Sequence, residues 1–532
     1  MTGPDLTTDV LVVGGGPAAT WAALKAAQAG AEVVLADKGY CGTSGATASS
    51  GTGVWYVPPD PAAREAAMAS REKLGGYLDD RRWKERVLDQ TYAGMNELAA
   101  AGRYPFPTGP DGTQLRNGLQ GPEYMRRMRI RVQRAGARIL DHSPVTELLT
   151  DASGAVAGAR GYRRQAGGAY RVRAGAVVLA TGGCAFLSGA LGCNVNTGDG
   201  ALFAAEAGAE LSGMEFSNAF GIAPEATSVT KSAFYSFATF YHEDGTVLEG
   251  AASQGGRSVI ARALLHEKVH CRLDRADDSA RRAMRLAQPN FFLTFDRLGI
   301  DPFTERFVIT LLAEGTVRGT GGIRITGDDC STTVPGLYAA GDAATRELIC
   351  GGFTGGGSHN AAWAISSGTW AGQGAARYVL SFGHRARAAA RRLVPTGGAG
   401  LRPTRTPGPA GAHREVIAAV QGEVLPYEKN YLRHGTALVT SLAALDATWD
   451  EARSALLGTG PDVVRAREAA AMTAHARWMY ASALARTESR GMARRLDFPE
   501  QDPAQRHRII TGGLDEVWTR PEPVRALLEA AS

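Results

Sequence analysis

Gly14-Gly15-Gly16-Pro17-Ala18-Ala19 lies between an apolar run, Asp9 to Val13, and a small-residue stretch, Ala18 to Gly30, and fits the pattern G-x-G-x-x-A. A glycine turn that opens a helix aims free backbone N–H groups at a phosphate, and the helix dipole favours negative charge there. A second apolar run, Glu32 to Ala36, ends at Asp37, whose carboxylate can accept the hydroxyl hydrogens of a ribose. The chemistry these residues could do is dinucleotide binding through a strand, a helix and a second strand. The fingerprint by itself fits FAD and NAD equally.

The choice between them comes from Gly336-Leu337-Tyr338-Ala339-Ala340-Gly341-Asp342, an apolar strand that delivers a Gly-Asp pair and resembles the second FAD signature, where the carboxylate bonds the ribitol. Further segments are Ala180-Thr181-Gly182-Gly183, Thr197-Gly198-Asp199-Gly200 leading into Ala207-Gly208-Ala209, Met214-Glu215-Phe216, Gly321-Gly322-Ile323 and Glu488-Ser489-Arg490-Gly491. Together they resemble, over almost the whole chain, the fumarate reductase and succinate dehydrogenase flavoprotein family, which includes aspartate oxidase and the adenylylsulfate reductase flavoprotein. The resemblance implies an FAD-dependent oxidoreductase. It implies cofactor contacts from Gly14, Gly16, Pro17, Ala18, Ala19, Asp37, Lys38, Thr43, Ser44, Gly45, Val145, Ala180, Thr181, Gly182, Asp199, Gly341, Asp342, Ser358 and Asn360. The helix beginning at Ser358 would point its N-terminus at N1 and C2=O and stabilise the anionic reduced flavin. Some members attach FAD through a histidine soon after the second strand. The first histidine here is His142, so a non-covalent, dissociable FAD is expected.

The chain departs from the family where fumarate and succinate are held, a task that needs paired cations and bidentate forks. The family's His-Pro-Thr is replaced by Asn218-Ala219-Phe220, the histidine before the Gly-Gly pair aligns near Val317, and the arginine of the late glycine loop aligns near Thr354. His359, in Gly355-Gly356-Gly357-Ser358-His359-Asn360, is the first catalytic candidate, as a general acid or base near neutral pH. Arg318 is the second, binding an anionic substrate or stabilising developing negative charge. His242 and Arg257 are further candidates on the cap, and Arg490 is assigned to an interdomain ion-pair network.

These elements predict an α/β fold: a Rossmann-like FAD-binding domain (1–215 and 317–385) split by a capping domain (216–316), and a C-terminal helical domain (413–532). Pro61 to Ala101 reads as a solvated helix pair, Ala137 to Leu140, Val145 to Leu149 and Ala155 to Tyr162 as strands and turns of a small sheet, and Val394 to Gly411 as a linker or long loop.

A net charge of +5, with arginines scattered beside acids and no basic block, argues against nucleic-acid binding. No apolar run is long enough to span a membrane, and the first residues show no basic leader, so a cytoplasmic protein is expected. The six cysteines lack C-x-x-C or metal-ligand spacing; free thiols and no metal are expected. The function expected is hydride transfer between flavin N5 and a small organic substrate other than fumarate or succinate, with NAD(P)H or a redox partner protein as counterpart. The alternatives are an oxidase or oxygenase using dioxygen in secondary metabolism, a flavoprotein subunit docking an iron–sulfur partner, and a non-catalytic flavin sensor. The oligomeric state stays open.

Overall fold

The computed structural model describes residues 4–109, 111–230, 233–354, 356–381 and 392–524. The predicted strand–helix–strand unit is Asp5–Val13, Pro17–Gln28 and Val33–Ala36. The two strands pair in parallel, Val10 opposite Val33. Asp5–Val13 pairs on its other edge with the parallel strand Ala169–Leu179, which also pairs with Leu337–Ala339. Their central stretches, Val10–Val13, Val33–Ala36, Ala176–Leu179 and Leu337–Ala339, are buried, which is why they read as near-continuous apolar runs without alternation.

The strands expected to form a small sheet over 137–162 are part of the main sheet. Arg138–Leu140 continues the parallel sheet beside Val33–Ala36, whereas Val145–Thr150 and Val156–Tyr162 join it as an antiparallel flap. The reason is the length of Ala169–Leu179. Along one edge its first residues pair with Val156–Tyr162 and its last three with Leu337–Ala339, while the other edge runs beside Asp5–Val13. One eight-stranded sheet results.

Helix Pro17–Gln28 lies against the long helix Gly356–Ser381, in contact because glycines face it. A Cβ at Gly368 would stand 2.5 Å from the Ala18 carbonyl oxygen, so the two backbones touch. The expected pair over 61–101 is Pro61–Glu72 and Arg81–Ala100, each N-capped by an aspartate, Asp60 and Asp80. The second is not merely solvated: Trp83, Val87, Leu88 and Met95 are buried in the main core.

The cap is a four-stranded antiparallel sheet with the order Ala219–Pro224, Phe307–Glu314, Val269–Arg272, Thr239–Tyr241, covered by helices Arg257–Ala263, Asp278–Ala287 and Pro289–Leu298. Its core is its own, built on Phe220, Phe234, Tyr235, Phe291, Phe292, Phe295 and Phe307. It joins the FAD fold through two crossovers near 214–219 and 314–322, bridged at Ala219 and Gly315.

The C-terminal region carries helices His413–Val424, Tyr427–Asn430, Gly435–Ser454 and Asp462–Ala485. It then adds a hairpin, His507–Gly512 with Trp518–Pro523, that pairs onto Leu211–Ser212 beside Gly322–Ile323. The hairpin is a feature that the helical expectation did not contain, and it ties the chain end to both cap crossovers. Asp462–Ala485 is buried over most of its surface, which explains its small, weakly amphipathic side chains. Among the described residues no helix is long and apolar enough to cross a membrane.

Candidate active site: a cleft between two glycine turns

The floor of the cleft is the first glycine turn. Gly14 sits at φ +122°, and its N–H donates to the Ala36 carbonyl at 2.8 Å. An added Cβ would run into the Ala180 carbonyl oxygen, so the residue must be glycine for both conformation and space. Gly15 presses on the Asp37 carboxyl group in the same way. Gly16 differs: nothing lies within 4 Å of the position its Cβ would take, and it is the N-cap of Pro17–Gln28 without a side-chain cap bond. The first-turn N–H groups therefore open onto empty space of the kind a pyrophosphate fills. Gly14, Gly16, Pro17 and Ala18 line the cleft, and Ala19 is fully buried behind them.

Asp37 lines the cleft at the end of the second strand and accepts from Ser44 Oγ at 2.7 Å. Burial pushes its carboxyl group above the usual range, opposed by the Ser44 hydrogen bond. Lys38, Ser44, Gly45, Val145, Ala180, Thr181, Gly182 and Asp199 complete this part of the wall. Thr43 is exposed, bonded to the Tyr40 carbonyl at 3.3 Å, and absent from the lining.

At the other end, Gly341 adopts φ +64° with Ala18 beneath it, where an added Cβ would be 2.7 Å from the Ala18 Cβ. The Gly341 N–H donates to Ser367 Oγ at 2.9 Å, which fixes the turn that presents Asp342. Burial raises the Asp342 carboxyl above its ordinary value; Arg346 and Arg318 oppose the shift. Arg346 is buried and bonds Asp342 and the carbonyls of Thr316, Val317 and Gly319. One guanidinium thus locks the returning cap crossover to the Gly-Asp turn. Asn360 adds a bond from Nδ2 to the Val317 carbonyl at 3.0 Å.

The catalytic candidates divide. Arg318 lines the cleft; among the described residues its ion pair is with Glu314 at 3.8 Å, too long for a hydrogen bond. Glu314 accepts from Thr230 Oγ1 at 2.6 Å. Asn360 and Ala361 line the cleft, but Ser358 and His359 do not. His359 is buried against Trp55, ring centroids 4.3 Å apart, with Nδ1 3.2 Å from Ser358 Oγ. Gly355 of the same loop lies outside the described residues.

His242 is on the cap, paired with Glu267 at 2.6 Å, and Arg257 donates to the carbonyls of Phe220 at 2.6 Å and Ser253 at 2.7 Å. Neither lines the cleft. Asn218 turns toward the C-terminal region and donates to the Asn430 and Met492 carbonyls at 3.3 and 3.2 Å. Arg490 joins a buried network, with Nε on Glu488 at 2.6 Å and a bond to the Gly76 carbonyl at 2.5 Å.

Several lining residues escaped sequence reasoning: Thr47, Ser50, Asn194, Asn196, Arg465 and Glu468. Asn194 and Asn196 lie just before Thr197-Gly198-Asp199, a proximity that could have found them. Arg465 and Glu468 come from a helix some 270 residues further on and carry no local signal.

The open space at Gly16, the carboxyl group of Asp37 and the Gly341–Asp342 turn fit the pyrophosphate, ribose and ribitol of FAD. Comparison with known proteins agrees. Residues 9–223 match the FAD binding domain and residues 430–519 the fumarate reductase flavoprotein C-terminal domain. L-aspartate oxidase of Streptomyces coelicolor is 29% identical over 377 residues, 64% of this chain and 63% of that protein's length. An E. coli quinol fumarate reductase chain has a similar fold, with TM-score 0.80, 20% identity, and 98% and 97% of the two chains covered. The adenylylsulfate reductase of Archaeoglobus fulgidus has TM-score 0.75 and 18% identity, covering 98% of this chain and 96% of that one. With its motifs, its two domain matches and its fold in agreement, this chain carries an FAD binding domain and a fumarate reductase flavoprotein C-terminal domain, on a fold shared with the fumarate reductase flavoproteins.

Proposed function

We propose that the enzyme oxidises or reduces a small organic anion other than fumarate or succinate by hydride transfer at a non-covalently held FAD. The carrying observation is Arg318, a cation on the cleft wall near Asp342 whose fork makes no hydrogen bond among the described residues. An arginine so placed offers a planar pair of donors to a carboxylate. FAD, when bound, supplies hydride acceptance and donation at N5.

The protein's own residues bind, orient and shield. Arg318 holds the anion, Glu314 and Thr230 keep that guanidinium at the cap crossover, and Arg346 fixes the distance between crossover and Asp342. His359, packed at a tilt against Trp55, positions the start of the helix that carries Asn360. The absence of an imidazole at Val317 and the outward turn of Asn218 remove two groups that would grip a second carboxylate.

L-aspartate is the first substrate to try, because the Streptomyces relative is an L-aspartate oxidase and because, as a dicarboxylate, it tests whether the site turns over a diacid without those two groups. The oxidised protein should show flavin absorbance near ~450 nm, released as FAD by acid. Anaerobic mixing with L-aspartate, succinate or NADH and reoxidation in air then assign donor and acceptor, with succinate inert. Malonate, used as an anionic probe, should perturb the flavin spectrum, and Arg318→Gln should weaken its binding roughly tenfold or more. Equal malonate affinity in both proteins would remove Arg318 from the site, and reduction by succinate would refute the excluded substrate class.

A further inference from the structure

The far end of the cleft, beyond Asp37, is closed by a chain of four alternating charges. Lys38 Nζ reaches Asp199 Oδ2 at 2.5 Å, Thr197 Oγ1 at 2.8 Å and Glu468 Oε1 at 3.0 Å. An ammonium has three N–H donors, and all three are engaged. Glu468 uses its other oxygen to accept from Arg465 at 2.6 Å, one turn away on the same helix. The Glu468 side chain is 5% exposed, that of Arg465 46%. All four charged residues line the cleft. Burial opposes the charge on Lys38, but Asp199 and Glu468 outweigh it and hold the ammonium above the usual lysine range.

The geometry has a direct reading. Lys38 has no donor left for a phosphate, so it is a strut that fixes two carboxylates on different parts of the fold. Asp199 opens helix Asp199–Glu206 of the FAD fold, and Glu468 belongs to helix Asp462–Ala485 of the C-terminal region. The strut therefore ties the C-terminal helix to the cleft wall that carries Asp37. Arg465 is the one member with donors to spare, and it lines the cleft.

We propose that Lys38, Asp199, Glu468 and Arg465 form a clasp by which the C-terminal helix holds the adenosine half of FAD, Glu468 and Arg465 acting as positioning residues. The proposal rests on FAD occupying the cleft. It predicts that the affinity for the cofactor is partly set from outside the FAD fold, and that the effect is confined to the adenosine end.

The test uses the full-length protein stripped of flavin and titrated with FAD by flavin fluorescence, with AMP as a competing probe of the adenosine end alone. The wild-type titration separates the two levels of the claim, since a wild-type protein that does not take up FAD would fail the family reading itself. Given that uptake, Glu468→Gln should raise the FAD dissociation constant roughly tenfold and the AMP constant by a similar factor. Arg465→Ala, at a half-exposed position outside the core, should raise both by a smaller factor, and Glu468→Asp should recover part of the loss. Circular dichroism checks that each variant is folded. Unchanged FAD affinity in folded Glu468→Gln and Arg465→Ala would overturn the clasp, as would a loss for FAD with AMP binding untouched.

Discussion

The glycine turn under the cleft and the ion network behind the cap crossover hold the same fold together under opposite constraints. At the turn, backbone meets backbone and there is no room to add an atom: Gly14 lies against Ala180 and Gly15 against Asp37. Behind the crossover, Arg486 binds Glu215 at 2.8 Å and Glu488 at 2.8 Å, all three fully buried, and no charge can be taken away. Arg433 donates to the Glu215 carbonyl at 2.6 Å, and Glu347 bonds Ser212 beside it. The first region is specified by shape and the second by charge balance. Each should therefore fail under a different kind of substitution.

The largest loss should come from Arg486→Met, which leaves Glu215 and Glu488 buried without their shared cation and should cost about 3–5 kcal/mol. Urea unfolding should show it, and a loss under about 1 kcal/mol would mean the network is hydrated and weak. Gly14→Ala should cost about 3 kcal/mol, from the positive φ and from the clash together. Its unfolding midpoint should drop while the denaturant slope stays constant, as it does when only stability changes.

The network also has a pH signature. Burial, reinforced by the charge of Glu215, raises Glu347 from its reference 4.5 to about 8 in the folded protein, with Arg508, Ser212 and Arg486 facing it and opposing the shift. The folded state then binds more protons than the unfolded state between these values. This contribution to stability is complete below about 4.5, declines as pH rises through about 8, and is flat above. Glu347→Gln should flatten the dependence of the melting temperature on pH across that window; a parallel curve would assign the dependence to other groups.

Gly16→Ala sharpens the comparison with the smallest effect on folding. Its Cβ would enter open space at ordinary φ, so the stability cost should be about 1 kcal/mol or less. The same methyl group would occupy the space assigned to the pyrophosphate and should weaken FAD binding. Isothermal titration with FAD, next to a thermal melt, separates the two, and a variant as tight as wild type would move the pyrophosphate elsewhere.

Gly14 to Asp37 was legible because every group it needs lies within a few dozen residues, and the strand–helix–strand order dictates their relative placement. The Gly341–Asp342 turn was legible by resemblance. His359 shows the limit of that approach. Its place next to a glycine loop suggested chemistry, but which way a side chain points from a helix start depends on Trp55, which no local pattern relates to it. The antiparallel flap was misjudged for a similar reason, since a strand's partner depends on how far its neighbour extends.

The sequence by itself determined the α/β class, the dinucleotide turn and the helical nature of most of the C-terminal region. Those features follow from local periodicity, glycine placement and composition, which act over short stretches of chain. Only the tertiary structure decided that Arg346 locks the cap crossover to Asp342, that Arg318 keeps its donors for the cleft, and that Lys38 reaches Glu468 across 430 positions. Such pairings are set by the closing of distant segments around one core, where each buried charge must find a partner that its own neighbourhood in the chain does not supply.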